Sequence, residues 1–90
     1  MNITSRALGE LKRILTSSVD NSYARLRLVS NGQESLGLGI DVESPGDKVF
    51  EYEGSGLLVV DEGLVTGLEG VTIDVDDTYE GLRIVFVKTR

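Results

Sequence analysis

The sequence predicts a mainly β domain of the α+β class: a compact β-sandwich or barrel-like sheet with an N-terminal amphipathic helix and a short second helix. Three observations predict it. Apolar residues in the first fifteen positions recur at the helical period. Beyond residue 23 the period falls to two, and turn-forming glycine, proline and asparagine separate short alternating segments. The 90 residues are 40% hydrophobic, enough to form a core in a single domain spanning 1–90.

The first element is the helix. Ile3, Ala7, Leu8, Leu11, Ile14 and Leu15 fall on one arc, with Arg6, Gly9, Glu10, Lys12 and Arg13 on the other side. Thr4 or Ser5 supplies the hydroxyl that accepts an orphan amide hydrogen bond at the start. Polar residues 16–18 and 20–22 end it. Ala24, Leu26 and Leu28 then share one strand face, with Arg25 and Arg27 on the other, where cross-strand pairing with an acidic neighbour is expected. Asn31-Gly32 marks a turn. In the next strand Leu36, Leu38, Ile40 and Val42 alternate with Gly37, Gly39 and Asp41, giving one apolar face and one nearly bare one.

Ser44-Pro45-Gly46-Asp47 forms a turn into a strand over 48–53, broken by Gly54-Ser55-Gly56. Leu57-Leu58-Val59-Val60 is a continuous apolar run, as expected of a strand buried on both faces. Over 61–68 Asp61 can cap a short helix with Leu64, Val65 and Leu68 inward, although Gly63 and Gly67 weaken it. Residues 71–75 alternate cleanly, 76–81 read as a turn, and Leu82, Ile84 and Phe86 line one face of the last strand. Tyr23, Tyr52 and Tyr79 read as residues at the core edge.

Composition removes whole classes of chemistry. The sequence has no cysteine, hence no disulfide and no thiolate ligand or nucleophile, and no histidine, hence no imidazole base or ligand. No catalytic constellation is visible, so no enzyme is expected. Net charge is −6, with residues 1–30 and 83–90 basic and the middle strongly acidic. An acidic middle repels a phosphate backbone, so nucleic acid is not an expected partner. No apolar stretch suits a membrane span or signal peptide, so a cytoplasmic protein is expected. The acidic run 74–81 could gather oxygens around a hard cation, yet lacks the EF-hand pattern and reads as a solvated hairpin. Glu51 and Glu53 read as a solvent face. Gly37 and Gly39 lie inside a strand rather than before a helix, so they make no phosphate loop.

An opening Ile3-Thr4 before the helix and Leu26-Arg27-Leu28 before a glycine turn resemble the HesB-like family of A-type iron–sulfur cluster carriers. So do Leu58-Val59-Val60-Asp61, then Leu68-Glu69-Gly70-Val71-Thr72-Ile73-Asp74, then Gly81-Leu82-Arg83-Ile84. The resemblance covers nearly the whole chain and implies a compact β-rich fold with helices packed on it. It also implies three cysteine ligands, one after a glycine in the loop between the first two strands and two in a C-terminal tail. Here Gln33 stands after Gly32 at the first of these positions. The tail pair has no counterpart before the sequence stops at Arg90. An amide oxygen is a poor ligand for cluster iron, which takes thiolate or imidazole. Neither a cofactor nor a metal site is therefore expected.

The resemblance implies a non-enzymatic HesB-like domain without cluster-binding cysteines. It would act through protein–protein contacts, with iron–sulfur assembly proteins or with itself. The loop Gly32, Gln33, Glu34 and Ser35 is the expected partner or ligand loop. Two alternatives are a small-ligand or hard-metal binding domain using the vacant family site, and a structural protein that self-associates through strand edges or its glycine face.

Overall fold

The structure, a computed structural model, describes residues 1–30, 36–79 and 81–88. In chain order the described elements are β1 (Asn2–Ile3), α1 (Ser5–Ser18), β2 (Arg25–Ser30), β3 (Leu36–Asp41), β4 (Asp47–Tyr52) and β5 (Ser55–Asp61). They continue with α2 (Glu62–Gly67), β6 (Val71–Thr78) and β7 (Gly81–Lys88). Strands β3-β2-β5-β4 form one sheet and β1-β6-β7 a second. The mainly β, α+β architecture expected from the periodicity is what the chain adopts.

Helix α1 starts where Thr4 can cap it: the Thr4 hydroxyl accepts from the Ala7 amide at 3.1 Å. Ile3 is not on the helix arc where the sequence placed it. The extended cap leaves Asn2 and Ile3 free to pair in parallel with Thr72 and Ile73 of β6, and the Thr4 amide donates to the Ile73 carbonyl. Ala7 and Leu11 are fully buried and Leu15 nearly so. Glu10, expected among the exposed side chains, is buried instead, with its carboxylate gripped by Arg13 one turn later.

One buried cluster joins both sheets and the helix. Leu26 and Leu28 of β2, Leu57, Leu58 and Val60 of β5, and Val71, Ile73 and Val75 of β6 meet Leu11 and its neighbours. Residues 57–60 are all buried, as the apolar run required, but not on one side. Val59 lies outside the cluster. It is in register with Arg27 on β2 and Val49 on β4, on the outer face of the four-stranded sheet.

Two hairpins differ from expectation. Strand β4 ends at Tyr52, and the β4–β5 turn is Glu53-Gly54, both at positive φ (54° and 83°). A two-residue turn with both central residues at positive φ matches the right-handed twist of a hairpin. Strand β6 runs on through Asp76 and Asp77 to Thr78, pairing them with Arg83 and Leu82, where the sequence suggested a turn from 76. Pairing with β7 outweighs the polarity of these residues. Leu82 is half exposed, so only Ile84 and Phe86 of its face reach the core. Tyr23 and Tyr79 are also exposed, whereas Tyr52 packs at the core edge as expected.

Candidate functional site

Antiparallel pairing of β2 with β3 brings Ser30 opposite Leu36. The segment between them holds the expected loop, and Gly32, Gln33, Glu34 and Ser35 lie outside the described residues. Its two anchors are described, and both line a cleft of about 470 Å³. The remaining walls come from distant parts of the chain: Leu64 and Leu68 at α2, Val71 opening β6, and Phe86 and Lys88 closing β7.

Local chemistry explains how α2 arrives there. The Asp61 carboxylate accepts from the Gly63 amide at 2.9 Å and caps the helix, so the ambiguous stretch is helical despite its glycines. The Leu68 amide bonds the Val65 carbonyl, and Gly70 turns the chain at φ 84° into β6. Only glycine takes that conformation without steric cost. Leu68 is thereby held inside the core cluster, with Leu64 and Val65 packed against it.

The cleft brings together the anchors of the expected loop and the end of the last strand. Its lining side chains are hydrocarbon at Leu36, Leu64, Leu68, Val71 and Phe86, and Ser30, Gly67 and Lys88 complete it. Iron of a sulfide cluster demands thiolate or imidazole, and neither exists in the sequence. Among the described residues no group of three or more carboxylates, cysteines or histidines could hold a metal ion. The residues present do not fit a cluster.

Asp74, Asp76 and Asp77 of the acidic run lie on β6. Asp74 Oδ1 accepts from the Thr4 hydroxyl and from the Val75 amide, both at 2.8 Å. These bonds, the Thr4 hydroxyl first, hold its carboxyl below the usual carboxylate range. Asp77 faces Arg6 at 3.6 Å in the open. Glu51 and Glu53 are exposed, as read from the sequence.

The polar centre that pairs across strands is Arg27. Its Nη1 and Nη2 donate to the two carboxylate oxygens of Asp47 at 2.9 and 2.6 Å, and Nε donates to Asp41 at 2.6 Å. Nη2 also reaches the Val42 carbonyl. The expected ion pairing of the β2 arginines thus holds for Arg27. It fails for Arg25, whose register partner Asp41 is taken diagonally by Arg27. Arg25 instead donates through Nη1 to the Ser22 and Ala24 carbonyls. Among the described residues its buried Nε has no partner, and it lies over Gly56, where an added Cβ would come within 2.7 Å. Sequence could place Asp47 in a turn but could not show that it anchors β2 across β5.

No family model and no curated protein matches the sequence. Solved structures do. SufA of Escherichia coli, involved in biosynthesis of iron–sulfur clusters, superposes with a TM-score of 0.68 at 18% identity, over 97% of this chain and 83% of that one. IscA, solved with a [2Fe-2S] cluster, gives 0.62 at 17% identity, over 97% and 83% of the two chains. A protein from Aquifex aeolicus, solved by NMR in solution, gives 0.60 at 25% identity, over 97% and 89%. The chain has the HesB-like fold. It carries that fold with no cysteine, so the HesB-like scaffold is present without the thiolates that its resemblance to the carriers implies. Among the described residues no helix is long and apolar enough to cross a membrane.

Proposed function

We propose that residues 1–90 form one non-enzymatic, cytoplasmic HesB-like domain that serves iron–sulfur cluster assembly through protein–protein contacts and holds no cluster itself. The observation that supports this most directly is the cleft lining. Beside the loop in which the resemblance places the first ligand, the cleft is lined by Leu36, Leu64, Leu68, Val71 and Phe86 with Ser30, Gly67 and Lys88, a surface suited to apolar contact. Gly32, Gln33, Glu34 and Ser35, between the anchors Ser30 and Leu36 in sequence, are the proposed partner loop. Nucleic acid is a poor partner for a chain of net charge −6.

Anaerobic reconstitution with ferrous iron and sulfide, followed by desalting, is expected to leave no visible absorption bands and no bound iron. Stoichiometric bands would overturn the reading. Sedimentation with a cluster-loaded carrier of the same fold tests the contact: co-migration is expected, with the cluster staying on the carrier. Failure to associate with any iron–sulfur assembly protein of the host at tens of micromolar removes the contact reading.

The same cleft favours a second reading, a small-ligand site. Its apolar walls would seat a hydrocarbon body, and Lys88 would draw an anionic end. A ligand that binds only the native state raises its stability, so a flat thermal-shift panel of metabolites discards this reading. A divalent cation should give no shift.

A further inference from the structure

A second cleft, of about 340 Å³ and polar where the first is apolar, opens between the C-terminal half of α1, the connection into β2 and the start of β5. Local bonding fixes its walls. The extended Val19 ends α1. The Asn21 side chain accepts from the Tyr23 amide at 2.8 Å, and the Ala24 amide donates to the Asn21 carbonyl at 3.0 Å. Arg25 Nη1 then clips the Ser22 and Ala24 carbonyls. Two cations line this cleft from different elements, Lys12 of α1 and Arg25 of β2.

These two differ from the other cations of the same elements. Arg6 and Arg13 of α1 and Arg27 of β2 each reach a carboxylate. Among the described residues Lys12 and Arg25 reach none, in a chain with 15 acidic and 9 basic side chains. The buried Arg25 Nε has given up water without gaining an acceptor, a state that native structures rarely leave unexplained. Gly56 keeps it there, because a side chain at that position would drive into the guanidinium. Glycine inside a strand commonly marks such a close approach.

We propose that this cleft binds the phosphate group of a small phosphate monoester. Such a group carries a charge of about −1.5 to −2 at neutral pH and three strong acceptor oxygens. A guanidinium and an ammonium converging from two elements supply the matching charge. The hydroxyls of Thr16, Ser22 and Ser55 in the lining add O–H donors around a tetrahedral anion. Leu15, Val19 and Ala24 leave an apolar wall for the carbon body of the ester. Asp20, also in the lining, opposes the anion weakly, because it is exposed and screened by solvent. The carbonyl end of α1 adds only roughly half a negative charge.

NMR titration of the nitrogen-15-labelled intact chain with glycerol 3-phosphate, in a phosphate-free buffer of low ionic strength, tests this. Saturable shifts are expected at the Arg25 Nε–H signal and at the Ser22, Ser55 and Gly56 amides, with Kd below about 1 mM. Inorganic phosphate should move the same signals more weakly, and acetate at equal ionic strength should leave them in place. Arg25→Gln should weaken binding at least roughly tenfold. Should that variant fail to fold, Lys12→Gln, which removes no hydrogen bond, should weaken it at least roughly fivefold with the thermal transition retained. Lys88→Gln in the apolar cleft should change nothing. The proposal is overturned by the absence of saturable shifts, by shifts confined to Leu64, Val71 and Phe86, or by unchanged affinity in Lys12→Gln. Acetate binding as tightly as the ester overturns the phosphate assignment, and inorganic phosphate doing so overturns the ester. None of these results bears on whether the chain holds a cluster or docks on a carrier.

Discussion

Replacing Arg27 by methionine probes the polar centre that ties three strands together. Methionine keeps most of the aliphatic stem over the outer face and deletes the guanidinium. Three bonds to carboxylates are lost, two to Asp47 and one to Asp41. The Asp47 side chain is 4% exposed, whereas that of Asp41 is 47% exposed. Removing one partner of a fully buried ion pair costs about 3–5 kcal/mol. The open Asp41 side and the Ser44 amide that still donates to Asp47 at 2.8 Å lower the expectation for Arg27→Met to about 2 kcal/mol. In a domain this size that moves Tm by about 10–15 °C.

The pH dependence separates charge pairing from packing. Arg27, chiefly, and the Ser44 amide hold the Asp47 carboxyl below its ordinary range. Asp41 is lowered by the Val42 amide and by Arg27. A carboxyl lowered on folding contributes stability that is present above its unfolded pKa and lost as pH falls through the folded one. The gap between wild type and Arg27→Met in urea titrations should therefore be full at neutral pH and shrink toward about pH 3. A gap of equal size at both pH values would mean that the stem, not the charge, does the stabilising. A gap under about 0.5 kcal/mol at neutral pH would show the network to be a surface ion pair of no consequence.

Two further substitutions follow from the same geometry. Thr4→Val removes the cap of α1 and the donor to Asp74; it should cost about 1 kcal/mol through the cap alone and lower Tm by at least about 5 °C by circular dichroism, with Thr4→Ser restoring most of it. Glu53 sits at φ 54° in the β4–β5 turn, so Glu53→Asn should raise stability by about 0.5 kcal/mol in urea titration, while Gly54→Ala at φ 83° should lower it.

Much of the fold was readable because local patterns and tertiary demands agreed. The 3.6-residue period carried Ala7, Leu11 and Leu15 into the core, and the apolar run 57–60 marked the central strand β5. The misreadings arose where a partner distant in sequence decided the outcome. Ile3 is a strand residue because β6 lies beside it, and Asp76 and Asp77 stay extended because β7 pairs with them. Glu10 is buried because Arg13 neutralises it, a pairing whose spacing was visible but whose burial was not. The site was half legible. The resemblance pointed to the loop after Gly32, but the walls facing its anchors come from α2, β6 and β7, and no periodicity shows that Leu64 and Phe86 share a cleft with Leu36.

The placement of that cleft explains why a HesB-like fold can stand without thiolates. In a small domain whose metal forms the core, the ligands are the stability, and losing them unfolds the chain. Here the fully buried side chains, among them Leu11, Leu26, Leu28, Leu58 and Ile73, belong to α1 and to strands of both sheets. The anchors Ser30 and Leu36 and the rim residue Lys88 stand at strand ends, outside the buried set. Substitutions at such ends remove few buried contacts and cost little. The loop anchors and the rim lysine are therefore not among the residues that carry the core, although Leu68 and Val71 of the cleft wall are. A chain can keep this core while the residues at these strand ends change.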